Sequence, residues 1–422
     1  MVVLGAGIVG LCVADALVRR GAAVTVVDRG APARDGASFG NAGLIVPSHV
    51  VPLAAPGVLG KGLRWMLDRE SPFFVQPRLD LELVRWGWRF MRSATARHVA
   101  LAGPVLRDLH LASRALHLEL AARLPDAGRV AERGVVILCA TPAGLHEEVV
   151  VAEGARALGL RAEVVDGAGV GDLMPGVTLD VVGGVHYLDD AHASPRALMV
   201  ALQASLLAAG VAFRWETAVD GVELAGRRVT GVRAGDEVIE SDSLVIAGGV
   251  DSSAFGRDLG VRLPMQAGRG YSVTVADPPQ RPALPALLSE ARVAVTPFDE
   301  GVRLGGTMEI ARVDRPVDHR RVRGITRAVE RYLPAFRADD LAPLPVWTGA
   351  RPVSPDGMPY LGRIARRDGV VVATGHGMMG FSLGPVTGAM VADIVMGPSG
   401  DARVPKVGPL LDPERFSGRA RA

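Results

Sequence analysis

The sequence predicts an α/β chain in two parts: a nucleotide-type fold around a buried parallel sheet, and a discontinuous α+β part containing an antiparallel sheet. Three observations predict it. Residues 1–30 hold an apolar strand, spaced glycines, a helix and a second apolar strand that ends in an acid. A buried strand running into glycines recurs around residues 243–249 and again around 370–377. Between them, residues 261–309 alternate apolar and polar side chains between turns, the pattern of an antiparallel sheet with one covered face.

The opening justifies the first part. Val2, Val3 and Leu4 form a short strand, and Gly5-Ala6-Gly7-Ile8-Val9-Gly10 leads into a helix over 11–20 whose Leu11, Ala14, Leu17 and Val18 recur at helical spacing. Gly21 ends that helix. The β-branched run Val24-Thr25-Val26-Val27 suits a strand buried on both faces, and Asp28 follows it. In a Rossmann-like fold Gly5 permits the tight turn, Gly7 lets the backbone approach a pyrophosphate, and Gly10 lets helix and strand pack closely. The helix start offers free N–H groups and a positive dipole to the phosphates. Asp28, about twenty residues on, accepts hydrogen bonds from a ribose. Its charge repels a 2′-phosphate, which argues against NADP. The motif itself leaves NAD and FAD both open.

Composition narrows the class. At 422 residues the chain has room for two or three domains. Its 47 basic and 45 acidic residues leave a net charge of +2 and no electrostatic case for nucleic acid. With 52 Gly, 29 Pro and 49% hydrophobic residues it reads as a loop-rich enzyme, not a disordered chain. Cys12 and Cys139 are the only cysteines, too few for a disulfide framework or a thiolate metal site, which suits a reducing compartment. The nine histidines form no ligand-spaced cluster, so no metal is expected. The nucleotide motif begins within five residues of Met1, so no signal peptide and a cytoplasmic location are expected, with a few natural N-terminal residues missing from the short first strand. Residues 370–392 carry no charge, but Gly375, Gly377, Gly380, Gly384, Pro385 and Gly388 break them into a buried strand, loop and helix, not a membrane span.

Further along, the loop 31–56 contains Ala37-Ser38-Phe39-Gly40-Asn41-Ala42-Gly43, small residues that suit packing against a flat ligand. Residues 61–100 are helical in tendency and mix Trp65, Trp86 and Trp88 with Arg64, Arg85, Arg89 and Arg92. The preferred reading is a helix packed on its own domain; peripheral contact at the inner face of a membrane, or a partner subunit, stays open. Helix is expected over 101–124, 142–158 and 195–209, the last capped by Ser194, and strand over 134–138, 163–165 and 184–188. A strand at 211–215 precedes a meander at 221–224 and 228–234. The strand 243–247 runs into Gly248 and Gly249 ahead of a helix at 251–260, a second place for close approach to a nucleotide. Antiparallel strands are expected at 271–275, 293–296 and 302–305, then a basic, solvated helix at 317–332. After the Pro355-Asp356-Gly357 turn come a strand at 370–374, a glycine-rich loop, a helix at 386–396 and a loose tail at 398–422. These elements divide into a nucleotide-binding domain of residues 1–50, 190–260 and 345–397, and a substrate domain of residues 51–189 and 261–344.

Five segments in this order, the opening motif, Ser38-Phe39-Gly40-Asn41-Ala42-Gly43, Gly268-Arg269-Gly270-Tyr271-Ser272, Gly349-Ala350-Arg351-Pro352 and Gly375-His376-Gly377, resemble the FAD-dependent D-amino-acid oxidase superfamily. Within it the likeness is to bacterial D-amino-acid dehydrogenase small subunits and to D-proline or D-hydroxyproline dehydrogenases, and it spans nearly the whole chain. The resemblance implies a Rossmann-like FAD-binding domain and oxidation of an amino acid at Cα, with hydride passing to flavin N5. It implies that Gly5, Ala6, Gly7, Ile8, Val9, Gly10, Asp28 and Arg29 hold the ADP half of FAD. Ser38, Asn41, Ala42, Gly43 and Leu44 would border the pyrophosphate and flavin, Val219 would meet the adenine, and Ala247, Gly248 and Gly249 would flank the nucleotide. His376, Gly377, Met378, Met379, Gly380, Phe381 and Ser382 would run under the flavin ring, where the final helix's dipole stabilises negative charge.

Arg351 matches the family's substrate-carboxylate arginine, and a guanidinium fork suits a carboxylate bidentately. Tyr271 either faces the substrate with its hydroxyl or packs within its strand. Met378 and Met379 stand where relatives carry polar residues, which favours small apolar or proline-like substrates. Neither cysteine matches a covalent flavin attachment, so non-covalent FAD is expected. Electrons would pass to a quinone or another redox protein. An oxygen-using oxidase, an NAD-dependent dehydrogenase and a non-catalytic FAD-retaining protein are the alternative readings.

Overall fold

Three short apolar strands, Val2–Leu4, Thr25–Val27 and Leu244–Ile246, lie side by side and parallel, with Val3 level with Val26 on one side and Val245 on the other. Such strands have no polar face to turn to water, so both faces must be covered. The computed structural model describes residues 1–32, 36–57, 60 and 70–417. In it these strands form the middle of a six-stranded sheet ordered Tyr360–Arg363, Val370–Thr374, Leu244–Ile246, Val2–Leu4, Thr25–Val27, Ala212–Arg214. Only the edge strand Tyr360–Arg363 runs antiparallel to its neighbour.

The helix Ile8–Val18 covers one face and packs against the closing helix Gly380–Met396. A Cβ at Gly388 would stand 2.3 Å from the Cys12 carbonyl oxygen, so glycine sets how closely the two axes approach. The stretch Gly377–Met396 is long and apolar enough to cross a membrane by length and composition, yet 67% of its 18-residue apolar window is buried in the fold. Its other flank takes the long helix Ala96–Arg123, whose Leu106, Leu109, Ala112 and Leu120 join the same core. That helix was expected to belong with the substrate part; its apolar stripe instead finds its partner in the nucleotide part.

The second sheet has nine strands. Val346–Val353, Gln266–Val275, Gly301–Ile310, Val293–Phe298, Ala286–Leu288, Val135–Cys139, Gly183–Tyr187 and Ala162–Asp166 follow one another across it, and Phe73–Val75 adds alongside Gly301–Ile310. The helix His319–Tyr332 covers one face through Val322, Ile325 and Val329. This helix is basic outside and apolar inside, as a solvated-face helix should be.

Three expectations shift. Val346–Val353 pairs with Gln266–Val275 over eight registered residues, so the boundary placed at 345 falls after this strand and not before it. Phe73–Val75 is a strand inside the stretch read as helical, and helix resumes at Leu81–Ser93. The tail read as loose is packed as far as residue 417: Leu411 is buried, its carbonyl accepts from Leu361 N–H, and Arg415 is tied to Asp356. Residues 33–35 of the early loop, 61–69 with Arg64 and Trp65, and the last residues 418–422 lie outside the described residues.

Candidate active site

The opening motif builds a turn that requires glycine at positions 5 and 10. Gly5 has φ +102°, and a Cβ there would come within 2.6 Å of the Ala247 carbonyl oxygen. A Cβ on Gly10 would overlap the Gly5 carbonyl oxygen at 1.8 Å. Asp28, buried at the strand end, braces the turn: Oδ2 accepts from Ala6 N–H at 2.7 Å and Oδ1 from Gly30 N–H at 2.8 Å. Ser38 reaches in from the early loop, its Oγ accepting from Ile8 N–H at 3.1 Å at the start of the first helix.

These elements line one side of a cleft of about 310 Å³, within the size range of cofactor and ligand sites. Of the residues singled out from the sequence, the cleft brings together Gly5, Ala6, Gly7, Ile8, Val9, Arg29, Ser38, Asn41, Ala247, Gly248, Gly249, Arg351, His376, Gly377, Gly380 and Phe381. Arg29 pairs with Asp251, another lining residue, at 3.0 Å. Gly10 and Asp28 support the turn from behind. Gly43 has φ +70° and donates to Asn41 Oδ1 at 2.9 Å across the intervening Ala42, and Leu44 pairs with His192 in a two-stranded ribbon. Val219 packs on the core beneath the meander. Met378 and Met379 line a second, small cavity of about 20 Å³, which shares His376 and Gly377 with the cleft. Ser382 is buried, its Oγ accepting from Val46 N–H at 3.1 Å and lying 2.8 Å from His110 Nδ1.

Arg351 enters the cleft from the nine-stranded sheet. Its strand pairs residue 349 with Gly270, and a Cβ on Gly270 would lie 2.2 Å from the Arg351 Nη2 atom, so the guanidinium rests on bare backbone. Nη1 donates to the Thr307 carbonyl at 2.8 Å, and Thr307 holds φ +66°. Burial alone draws the arginine pKa down to about 10, because no acid among the described residues offsets it. It still carries its charge at neutral pH. Among the described residues the cleft therefore presents a cationic fork with no counter-ion.

Tyr271 is the correction at this site. Neighbours along a strand point to opposite faces; Gly270 underlies Arg351, so Tyr271 points away, into the core beneath helix His319–Tyr332. Its hydroxyl donates to Glu309 at 2.5 Å, and Glu309 takes Arg315 at 2.6 Å on its other oxygen. Of the two roles open to this residue, packing is the one its geometry serves.

His376 is buried with Nε2 3.0 Å from Thr387 Oγ1, and desolvation lowers its pKa to about 4. It is neutral near pH 7 and fixes the loop by hydrogen bonding. Three contributors were not singled out from the sequence. Arg303 reaches the carbonyls of Phe39 and Asn41 at 3.0 and 2.9 Å and holds the early loop against the sheet. Thr307 seats Arg351, and His110 seats Ser382. Each acts across a long sequence separation, and no local spacing marks it.

A protein-family profile described as "DAO: FAD dependent oxidoreductase" matches residues 1–394. The chain belongs to the FAD-dependent oxidoreductase family. A protein named D-amino acid dehydrogenase from Cereibacter sphaeroides is 32% identical over 428 residues, covering 100% of this chain and 96% of its own. A second protein of that name, from another strain, is 32% identical over 413 residues, covering 96% and 93%. Among solved structures, glycine oxidase from Geobacillus kaustophilus superposes with a TM-score of 0.75 at 21% identity, over 99% of this chain and 98% of its own. L-proline dehydrogenase from P. horikoshii gives 0.71 at 19% identity, over 98% and 96%. These likenesses show the mixed α/β fold, with a largely parallel six-stranded sheet and a largely antiparallel nine-stranded one.

FAD is thus the cofactor of this family member, and the chain fits it. The glycine turn is shaped so that backbone, not side chain, faces the cleft, and the first helix begins at Ile8 after Gly7, whose lack of a side chain leaves the helix start open to the cleft apart from the Ser38 hydroxyl on Ile8 N–H. The closing helix likewise points an uncapped N-terminus, from Gly380, at the cleft.

Proposed function

We propose that this oxidoreductase oxidises a D-amino acid, or a related imino acid such as D-proline or D-hydroxyproline, at Cα and passes the electrons to an acceptor other than oxygen. The observation that carries this reading is Arg351: a half-buried guanidinium, without an acid partner among the described residues, opening into the same cleft as the glycine turn and the His376 loop. A carboxylate is the ligand such a fork binds best, through two parallel hydrogen bonds. The D-amino acid dehydrogenase relatives support the choice of substrate.

The turn at residues 5–10, the loop at 38–44 and the loop at 376–382 would hold FAD non-covalently, and the flavin would supply the two-electron acceptor. Arg351 anchors the substrate carboxylate and so fixes which Cα hydrogen can leave as hydride. The amine gives up a proton as C=N forms, and water then hydrolyses the imino product. His376, neutral and bound to Thr387, keeps the loop in place without adding charge beside the substrate. The closing helix's N-terminus offers N–H dipoles to negative charge.

The test is anaerobic bleaching of the flavin absorbance by a panel of D- and L-amino acids including D-alanine, D-proline and D-hydroxyproline. Arg351→Ala is expected to keep its FAD and to raise KM about a hundredfold, as loss of a buried charge partner does. Unchanged KM in that variant refutes the assignment.

A specific surface feature supports a quinone acceptor at a membrane. Helix Leu81–Ser93 buries Trp86 and Phe90 on one side and exposes Leu81, Val84, Trp88 and Met91 on the other. Arg92 stacks over the Trp88 ring at 4.7 Å, and Arg85 and Arg97 are also exposed. An apolar stripe edged by arginines suits peripheral contact with an anionic bilayer.

A further inference from the structure

The family match ends at residue 394, yet the chain beyond it reaches back to the site. Arg415 spends all five of its N–H groups within the fold. Nε donates to Asp356 Oδ2 at 2.7 Å, and Nη2 to Asp356 Oδ1 at 2.9 Å and to the Met358 carbonyl at 2.7 Å. Nη1 donates to the carbonyls of Pro359 and Asp412 at 3.1 and 3.0 Å. The guanidinium also lies 4.0 Å from the centre of the Tyr360 ring.

Two paths lead from Arg415 to the small cavity of about 20 Å³. Asp356 belongs to the turn whose Ser354 and Gly357 line it. The Tyr360 ring comes within 2.7 Å of where a Cβ on Gly375 would stand, and Gly375 and His376 line the cavity too. The cavity adjoins the carboxylate fork. Val353, two residues beyond Arg351 and so on the same strand face, is part of its wall, as is Met308, the neighbour of the Thr307 that seats Arg351. Its volume holds one water-sized or methyl-sized group.

We propose that Arg415 is a positioning residue for substrate selection: by bracing the Asp356 turn and the Gly375 loop together, it keeps this cavity small and so favours amino acids with a methyl-sized side chain. The proposal rests on the reading of Arg351 as the carboxylate anchor. A lysine at 415 keeps the charge but is a point charge with no rigid fork, so it cannot hold both walls at once.

Arg415→Lys is expected to retain FAD and to lower the ratio of kcat/KM for D-alanine over D-leucine about tenfold, the scale on which a pocket reads one or two methylenes. A purely structural role would lower the unfolding midpoint and leave that ratio where it was, which overturns the proposal. Should the variant not fold, hydrogen exchange on the unaltered holoenzyme decides. Saturating isobutyrate, a carboxylate with a small side chain and no amine, should slow exchange at amides 354–361 and 411–417 together, and no slowing at 411–417 overturns the proposal. Failure of the substrate reading shows separately, as a parent enzyme whose flavin no D-amino acid bleaches.

Discussion

Arg351 and Tyr271 lie on adjacent strands and differ only in which way the pleat turns them. Gly270 leaves the Arg351 guanidinium a bare surface, while one residue on, Tyr271 faces the helix side and donates to Glu309. Tyr271→Phe removes a hydrogen bond to a charged acceptor that keeps Arg315 as its other partner, so a stability loss of about 2 kcal/mol is expected. KM and kcat should stay within about twofold of the parent, because the hydroxyl never enters the cleft. Urea unfolding and steady-state kinetics on the same preparation check both halves; a large KM change with intact stability would return Tyr271 to the substrate. Asp28 shows the same dependence on surroundings. Its place at a strand end marks it for a ribose, and the fold additionally spends its carboxylate on the Ala6 and Gly30 amides, which makes it a brace for the glycine turn.

At the scale of elements, what could be read in the sequence was whatever a short window encodes. The first strand, turn, helix and second strand carry their whole signal within thirty residues, and Ser194 caps Pro195–Ala208 as its position next to Pro195 suggests. Phe73–Val75 was not legible because its pairing partner, Gly301–Ile310, lies more than two hundred residues away. The allegiance of Ala96–Arg123 depends on the closing helix, and the Arg351 side of the cleft on the register of Val346–Val353 against Gln266–Val275, neither of which a local pattern encodes. The helix Leu81–Ser93 is a case where periodicity shows two apolar stripes and only the fold shows which one is covered. Its outer stripe gives a prediction at this scale: the holoenzyme should sediment with anionic phosphatidylglycerol vesicles, less so at high salt, and Trp88→Glu should reduce the bound fraction several-fold without changing FAD content. Equal sedimentation of the parent with neutral and anionic vesicles, or none, would count against membrane contact.

Over the whole molecule, burial of ionisable groups ties stability to pH. Desolvation brings His117, His192 and His376 down to about 4, and His49 and His110 are lowered as well, mainly by burial. In the unfolded chain these imidazoles take up a proton near their ordinary value of about 6.5. Between those limits the unfolded state binds more protons, so the stability contributed by the neutral histidines is complete above about pH 6.5 and is lost as pH falls toward 4. Asp190 works the other way. Burial raises its pKa to about 7, so in the same window it is protonated when folded and ionised when unfolded, and its contribution grows on acidification. Burial raises the Glu148 carboxyl in the same direction, so five histidines are set against two carboxyls and outweigh them. The unfolding midpoint of the holoenzyme should therefore fall steadily from pH 7 to pH 4.5. In Asp190→Asn one of the two opposing contributions is gone, and the fall should be steeper over the same range. Differential scanning fluorimetry across that range, with flavin release followed in parallel, reads both slopes; a midpoint that stays level to pH 4.5, or a shallower slope in the variant, would mean that these groups keep their ordinary pKa values inside the fold.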